Sequence, residues 1–423
     1  MEGLYARLAR GAALALAAAL LVNAPLHAQP DATPRVVSGI DAVVLQPAPL
    51  PLDSPVRKQG IRRVLLELFF DPPFAGDVYL TGTTEQFGPW NPSLFKLEGG
   101  TPYLRRVAVE VPASEEFRFK LTLGDWTRQQ IDERGVQHQD HQVPVGTNTY
   151  TTTVKGFQGG LDGALESLAE GGVQGRLELL RDVRSRSTIN PRHVLVWLPT
   201  AYDAAPARRF PVLYMHDGQN LFDPRMIPSG VDWGVDEAVE RLVSQGRMEP
   251  VIVVGAFNSP DRRPEYSPHH KAPEYADFLM EELKPLIDTR YRTLPGREHT
   301  AVMGSSMGGL VSLYTGMRHP DKVSRLGCVS THWVWEGGKM VESLERGAPI
   351  PRNLRIYFDF GTVGVDAPYA ALQGRVDAAM AAQGWSAGRE VITRRFEGAD
   401  HNEAAWRGRL DAILVDLYGM PLE

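Results

Sequence analysis

His299-Thr-Ala-Val-Met-Gly-Ser-Ser-Met-Gly-Gly-Leu-Val311 is the stretch that decides how this chain folds. Thr300 to Met303 is a short apolar run of strand type, and from Met307 a helical pattern begins. Between them stands Gly304-Ser-Ser-Met-Gly308, a Gly-x-Ser-x-Gly turn. A serine on a sharp strand-to-helix turn has its hydroxyl exposed at the top of a sheet, and the flanking glycines leave room for the tight backbone. The helix that starts at Met307 aims free backbone N–H groups at an anion forming beside that serine. Ser306 is therefore the candidate nucleophile. The same letters can spell a Gly/Ser loop before an ordinary helix, so the weight falls on the rest of the chain.

Outward from this turn, strands alternate with helices. The expected strands are Phe210–Met215, Val251–Val254, Thr300–Met303, Leu326–Val329, Arg355–Phe360 and Val391–Phe396. The expected helices include Val235–Val243, Tyr275–Ile287, Met307–Met317, Tyr369–Ala382 and Glu403–Leu417. Leu177 to Val183 and His193–Leu198 read as an opening β-hairpin. Such alternation implies a mostly parallel, doubly wound sheet covered on both faces.

A serine hydroxyl needs a base to take its proton, and the base is usually a histidine oriented by a carboxylate. In a doubly wound sheet these groups sit beyond the carboxyl ends of successive strands. His401 follows the last strand by a short turn and is the candidate base. His319 precedes Pro320 at a helix end, and His332 follows an earlier strand, so both fit less well. For the acid, Asp366 lies in the loop after Arg355–Phe360, while Asp359 lies within that strand. Both stay open, whereas Asp400 adjoins His401 too closely to reach round it. An oxyanion needs two N–H donors. Met307, next to the serine, supplies one, and Gln219 in the polar turn Met215-His-Asp-Gly-Gln-Asn220 the other. The loop from Asn258 to His270 is a candidate lid, and Asp217, Trp233, Arg262, Glu265 and Tyr266 are candidate substrate contacts. An Arg262–Glu265 pair bracing that loop is the competing expectation.

Three stretches carry a resemblance. Phe210-Pro-Val-Leu-Tyr-Met-His-Asp-Gly-Gln-Asn-Leu-Phe-Asp223, Tyr275-Ala-Asp-Phe-Leu-Met-Glu-Glu-Leu-Lys-Pro-Leu-Ile-Asp288 and Gly304-Ser-Ser-Met-Gly-Gly309 together resemble the esterase D family of α/β-hydrolases. That family is similar to enterochelin, feruloyl and acetyl-xylan esterases and to mycolyltransferases. The resemblance runs from about residue 175 to the end. It implies an α/β-hydrolase fold, a triad of Ser306, His401 and a late-loop aspartate, and a Gln219 N–H in the oxyanion hole. The acid loop, Gly361-Thr-Val-Gly-Val-Asp366, is longer than the Gly-Thr-Asn-Asp form of the feruloyl esterases.

Ahead of this region, residues 61–157 read as an all-β sandwich: Arg63–Phe69, Asp77–Thr81, Tyr103–Val111, Glu116–Thr122 and Thr149–Val154 are short strands separated by turns. Val78–Gly82, Phe87–Pro92 and Phe117–Trp126 resemble starch-binding carbohydrate modules. The resemblance implies Trp90 and Trp126 as a stacking platform and Lys120 as a polar contact. Asp132-Glu-Arg-Gly135 stands where the asparagine of those modules is found. The alternative is an immunoglobulin-like adaptor packed against the hydrolase. His138-Gln-Asp-His141 offers two ligands on one loop and no third, so no metal is expected.

Residues 1–28 read as a cleavable signal peptide: Arg7 and Arg10, an apolar run from Gly11 to Val22, then Leu26-His-Ala28. Residues 29–60 read as a Pro-rich linker and 158–174 as a second one, which leaves 175–423 for the hydrolase. The 423 residues are 43% hydrophobic and 23% charged with net charge −6, so no basic field draws nucleic acid or an anionic membrane. The apolar run is too short to span a bilayer. Cys328 is the single cysteine, so no intrachain disulfide can form. The expected protein is a periplasmic or secreted serine ester hydrolase without a cofactor. Its substrate would be a small-molecule or carbohydrate ester, with a polysaccharide as a partner through the β region. A catecholate-siderophore esterase is one alternative, and a carbohydrate-binding protein with an inactive hydrolase region another.

Overall fold

The computed structural model describes residues 35–39, 42–46, 60–84, 87, 90–133, 137–159, 172–227, 229–259 and 261–419. The expected signal peptide and most of both expected linkers lie outside the described residues. Inside the first linker stretch, however, β1 (Arg35–Gly39) pairs antiparallel with β2 (Ala42–Gln46). The β-branched and apolar runs Val36-Val37 and Val43-Val44-Leu45 are the strand signal that the surrounding prolines obscured.

The strands that follow are β3 (Ile61–Phe70), β4 (Tyr79–Gly82), β5 (Phe95–Lys96), β6 (Leu104–Pro112), β7 (Phe117–Thr122), β8 (His141–Val143) and β9 (Thr149–Val154). They form two sheets, ordered β1-β2-β6-β3-β9 and β5-β4-β7-β8. Val64, Leu66 and Leu68 of β3, Val107, Val109 and Val111 of β6, and Phe117, Phe119 and Leu121 of β7 all enter one core. Every second residue of each strand points inward, which is the period-two pattern read from the sequence.

The remaining strands are β10 (Arg176–Val183), β11 (Arg192–Leu198), β12 (Val212–His216), β13 (Ile252–Ala256), β14 (Thr300–Ser305), β15 (Arg325–Val329), β16 (Arg355–Gly361) and β17 (Val391–Phe396). They make one sheet in the order β10-β11-β13-β12-β14-β15-β16-β17. The hairpin β10–β11 is antiparallel and joins β13 antiparallel, and from β13 to β17 every pairing is parallel. Alternate residues feed opposite faces. Val212 and Tyr214 pack with Leu279, Leu283, Leu310, Val311 and Val376 from helices on one side. Leu213 and Met215 pack with Val235, Val239, Leu242, Ile413 and Leu414 on the other. Strands buried on both faces are continuous in hydrophobicity, which is why β12 and β13 read as apolar runs.

Two helices differ from expectation. The helix expected at Tyr275–Ile287 begins earlier: Ala272–Asp277 runs through a π turn, Phe278–Leu283, into Lys284–Arg290. Pro285 has no N–H to give back to the preceding turn, which favours the irregular winding. The helix expected at Glu403–Leu417 is two pieces, Glu403–Arg407 and Leu410–Tyr418. The break at Gly408-Arg409 turns the Arg409 side chain into the interior, where the residue is 3% exposed. No helix among the described residues is long and apolar enough to cross a membrane.

Candidate active site

Ser306 stands at the end of β14 with φ 60° and ψ −122°, and the helix Met307–Arg318 starts at the next residue. That conformation is costly for a side chain larger than hydrogen. Neighbours over-determine it: Ser306 N–H donates to Val329 O at 2.9 Å, and Ser306 O accepts from His332 N–H at 3.1 Å. A Cβ on Gly304 would lie 2.8 Å from His216 Cδ2 and 3.1 Å from Gly308 Cα, so the first motif glycine is held to glycine by space. The first N–H groups of the helix have no partner within it.

His401 lies in the turn after β17. Its Nδ1 is 2.6 Å from Asp366 Oδ1. Asp366 sits in a tight turn, Gly364–Asp366, after β16. The two loops are pressed together: a Cβ on Gly361 would meet Ala399 O at 2.1 Å, and one on Gly364 would overlap Asp400 Oδ1 at 1.9 Å. Asp366 Oδ2 accepts from Ser330 Oγ at 2.5 Å and Gly361 N–H at 2.6 Å. Burial alone would raise this carboxyl; the hydrogen bonds from His401, Ser330 and Gly361 outweigh it and hold it below the ordinary value.

Asp359, the other aspartate left open, is engaged elsewhere. Its Oδ1 accepts from Ser330 N–H at 2.9 Å and lies 3.0 Å from Arg409 Nη2, and its Oδ2 accepts from Tyr357 OH at 3.0 Å. The structure brings Asp366, and not Asp359, to His401.

The turn after β12 holds Asp217 at φ 55° and ψ 48°, followed by a 3-10 turn, Gly218–Asn220. Gly218 is pressed on β13, since a Cβ there would meet Gly255 O at 2.2 Å. Gln219 Oε1 accepts from Asn258 N–H at 3.2 Å, which fixes the side chain of the expected oxyanion residue at the edge of the cleft it lines.

Several expected substrate contacts have partners within the protein. Asp217 accepts from Arg262 Nε and Nη2, each at 2.7 Å, and from Asn258 Nδ2 at 2.7 Å, so its carboxylate is saturated. Arg262 therefore does not pair with Glu265. Glu265 is fully buried against Arg192, with Nη2 to Oε1 at 2.9 Å. Tyr266 is also fully buried, and its hydroxyl accepts Asp217 N–H at 3.2 Å. Trp233 is buried beside Trp406, ring centroids 5.6 Å apart. Lys120 is 4% exposed and donates to His138 O at 2.8 Å, with Asp140 at 3.3 Å, so its ammonium is engaged inside the β region. His141 Nε2 lies 2.8 Å from Gln130 Oε1 and His138 Nδ1 2.7 Å from Gln139 O, which engages a nitrogen of each imidazole.

Trp90 and Trp126 come together on a cleft of about 850 Å³, and the opposite wall is Gln219, Asn258, Arg262 and Arg263. The cleft thus lies between the N-terminal sheets and the large sheet. Gln137 ties the two, its Nε2 donating to Ile227 O at 2.6 Å. Residues around His401 that the sequence did not flag are Ser330, Arg409 and Trp406, and His332, the weaker candidate for the base, also stands near. Trp406 lies edge-on to the His401 ring at 5.2 Å, and His332 Nδ1 lies 2.5 Å from Tyr369 OH. Burial, followed by the charge of His401, pushes His332 down to about 4.

Residues 185–417 match the Esterase family model. The Iron(III) enterobactin esterase of Escherichia coli K12 is 28% identical over 237 residues, which are 53% of this chain and 53% of that protein. The chain thus spans about half the length of that relative. An endo-1,4-beta-xylanase/feruloyl esterase of Xylanibacter ruminicola is 27% identical over 161 residues, 34% of this chain and 20% of that one. The solved enterobactin esterase of Shigella flexneri aligns at TM-score 0.49 and 15% identity, covering 84% of this chain and 92% of that one.

Proposed function

The chain belongs to the Esterase family, and from that premise we propose that it is an exported serine carboxylic-ester hydrolase working through Ser306, His401 and Asp366. Ser306 Oγ attacks the ester carbonyl carbon while His401 Nε2 takes the hydroxyl proton. The resulting oxyanion accepts hydrogen bonds from the N–H groups of Met307 and Gln219. When the intermediate collapses, His401 returns the proton to the leaving alcohol. Water, activated by the same imidazole, then releases the acid. Asp366 holds Nδ1–H throughout, fixing the tautomer and stabilising the imidazolium. No cofactor enters this sequence.

The observation that carries this reading is the 2.6 Å contact between His401 Nδ1 and Asp366, two loops from a serine held at φ 60° on the same end of the sheet. Export rests on the signal-like residues 1–28. Acyl esters of sugars or polysaccharides are the proposed substrates, because Trp90 and Trp126 share a cleft with Gln219. Their flat rings offer apolar faces to sugar rings or to an aromatic acyl group. Residues 61–157 then act as a β-sandwich domain that shapes the mouth of the site. A catecholate-siderophore triester is the second reading, favoured by the enterobactin esterase relative and by Arg263 on the cleft rim. A panel of p-nitrophenyl esters, acetylated xylan, feruloyl sugars and a catecholate triester, run with wild type and Ser306→Ala, tests both. Hydrolysis by wild type alone, strongest on one polymer or triester class, is expected. Equal activity in Ser306→Ala would overturn the mechanism.

A further inference from the structure

Ser330 closes β15 at φ 40°, and its hydroxyl is buried among three polar partners. Trp406 Nε1 donates to Ser330 Oγ at 3.2 Å, and Arg409 Nη2 donates at 2.6 Å. An indole N–H and a guanidinium can only donate. Both lone pairs of the hydroxyl are therefore occupied, and its one proton has a single acceptor, Asp366 Oδ2 at 2.5 Å. The direction of that bond follows from the partners. A hydroxyl polarised by a cation on one side is a stronger donor on the other.

We propose that Ser330 is a positioning residue for Asp366: its hydroxyl, polarised by Arg409 and Trp406, keeps the carboxylate ionised and turned so that Oδ1 faces His401. The inference rests on the proposed triad and extends it by one shell. The arrangement is a chain, Arg409 to Ser330 to Asp366 to His401. Asp359 anchors Arg409 at one end and takes Ser330 N–H, which holds the serine in its unusual conformation. Other titratable groups facing the pair are Tyr369 from the following helix, His332 from the loop after β15, and Asp400 within the turn of His401. None of these donates to Asp366 Oδ2, so only Gly361 N–H would remain after loss of the hydroxyl.

Loss of that donor leaves more charge on the carboxylate beside His401. The imidazolium is then held more tightly and gives up its proton at higher pH. In Ser330→Ala, the acid limb of kcat/KM for p-nitrophenyl acetate should move upward by about one pH unit. At pH 7, kcat/KM should fall about ten-fold, with part of the loss recovered by pH 9. Ser330→Gly relaxes the positive φ, so it keeps the fold while lacking the hydroxyl, and should give the same profile. Trp406→Phe removes one of the two polarising donors and keeps an aromatic ring against His401; it should move the limb in the same direction by less. An unmoved limb in both Ser330 variants, or an opposite shift in Trp406→Phe, would overturn the proposal. Asp366→Asn in the same assay separates the two levels. If it retains full activity, the triad itself is wrong and this inference falls with it. If it loses activity while the Ser330 variants follow wild type, only the role of Ser330 is wrong.

Discussion

Asp359 and Asp366 stand seven positions apart, and changing each to asparagine should produce opposite phenotypes. Asp359→Asn strikes a buried ion pair: the side chains of Arg409 and Asp359 are 2% and 0% exposed. Breaking such a pair costs about 3–5 kcal/mol because one charge is left without compensation. Asparagine can still accept from Ser330 N–H and Arg409, so the lower end, about 3 kcal/mol, applies. For a folded unit of this size that corresponds to a fall in Tm of roughly 6–12 °C. The catalytic loss should stay within about ten-fold, since Asp359 touches Asp366 only through Ser330. Asp366→Asn should do the reverse. It leaves no formal charge unpaired in the core, and Tm should stay close to that of the wild type. It presents the wrong group to His401 Nδ1, and kcat should fall by about 10⁴. Thermal melts by circular dichroism and initial rates on p-nitrophenyl acetate measure both. An Asp359→Asn enzyme with unchanged Tm and abolished activity, beside an active Asp366→Asn, would refute this division of labour.

Stability should also fall with acid well before the carboxylates protonate. Burial pushes His141 and His216 down to about 3 and His332 to about 4, against 6.5 in the open chain. The unfolded chain therefore binds protons that the folded one refuses, so stability is complete above about pH 6.5 and declines as pH drops towards 4. The urea midpoint should decrease from pH 7 to pH 5, with unfolding taking up as many as about three protons; a constant midpoint over that range would contradict it. Trp90→Ala with Trp126→Ala should cut kcat/KM on a polymeric or bulky aromatic ester roughly ten- to thirty-fold, from about 1 kcal/mol of stacking per ring. The same enzyme should hydrolyse p-nitrophenyl acetate like wild type, and equal losses on both substrates would point to a structural role instead.

The large sheet was legible because its signals are local. Apolar runs of strand length, each followed by a helical repeat, specify parallel strands buried on both faces, and each expected strand is present to within a residue or two. The Gly-x-Ser-x-Gly turn gave Ser306 because strand, glycine and helix start are adjacent in sequence. Strands β1 and β2 were hidden by the prolines that follow them. The break at Gly408-Arg409 was hidden because apolar periodicity continues across it, and only the burial of Arg409 reveals why the helix stops. Asp366 could not be separated from Asp359 by sequence, since both lie near the end of one strand. Which of them faces His401 depends on how two loops pack through Gly361 and Gly364. Charged residues of the 258–270 loop misled for a related reason: Arg262 and Glu265 look like partners at helical spacing, yet each reaches a different strand end, Asp217 after β12 and Arg192 on β11. Ser330 gave one usable signal, its place just beyond β15, beside the strand that carries Ser306.

The central claim is that Ser306 is a nucleophile activated by its surroundings, and a fluorophosphonate probe reads this without knowledge of the substrate. Wild-type protein should gain one covalent adduct by intact mass, and peptide mapping should place it on Ser306. Ser306→Ala should remain unlabelled, and Asp366→Asn should label far more slowly. Labelling on the neighbouring Ser305, or wild-type protein that stays unmodified while folded, would contradict the account.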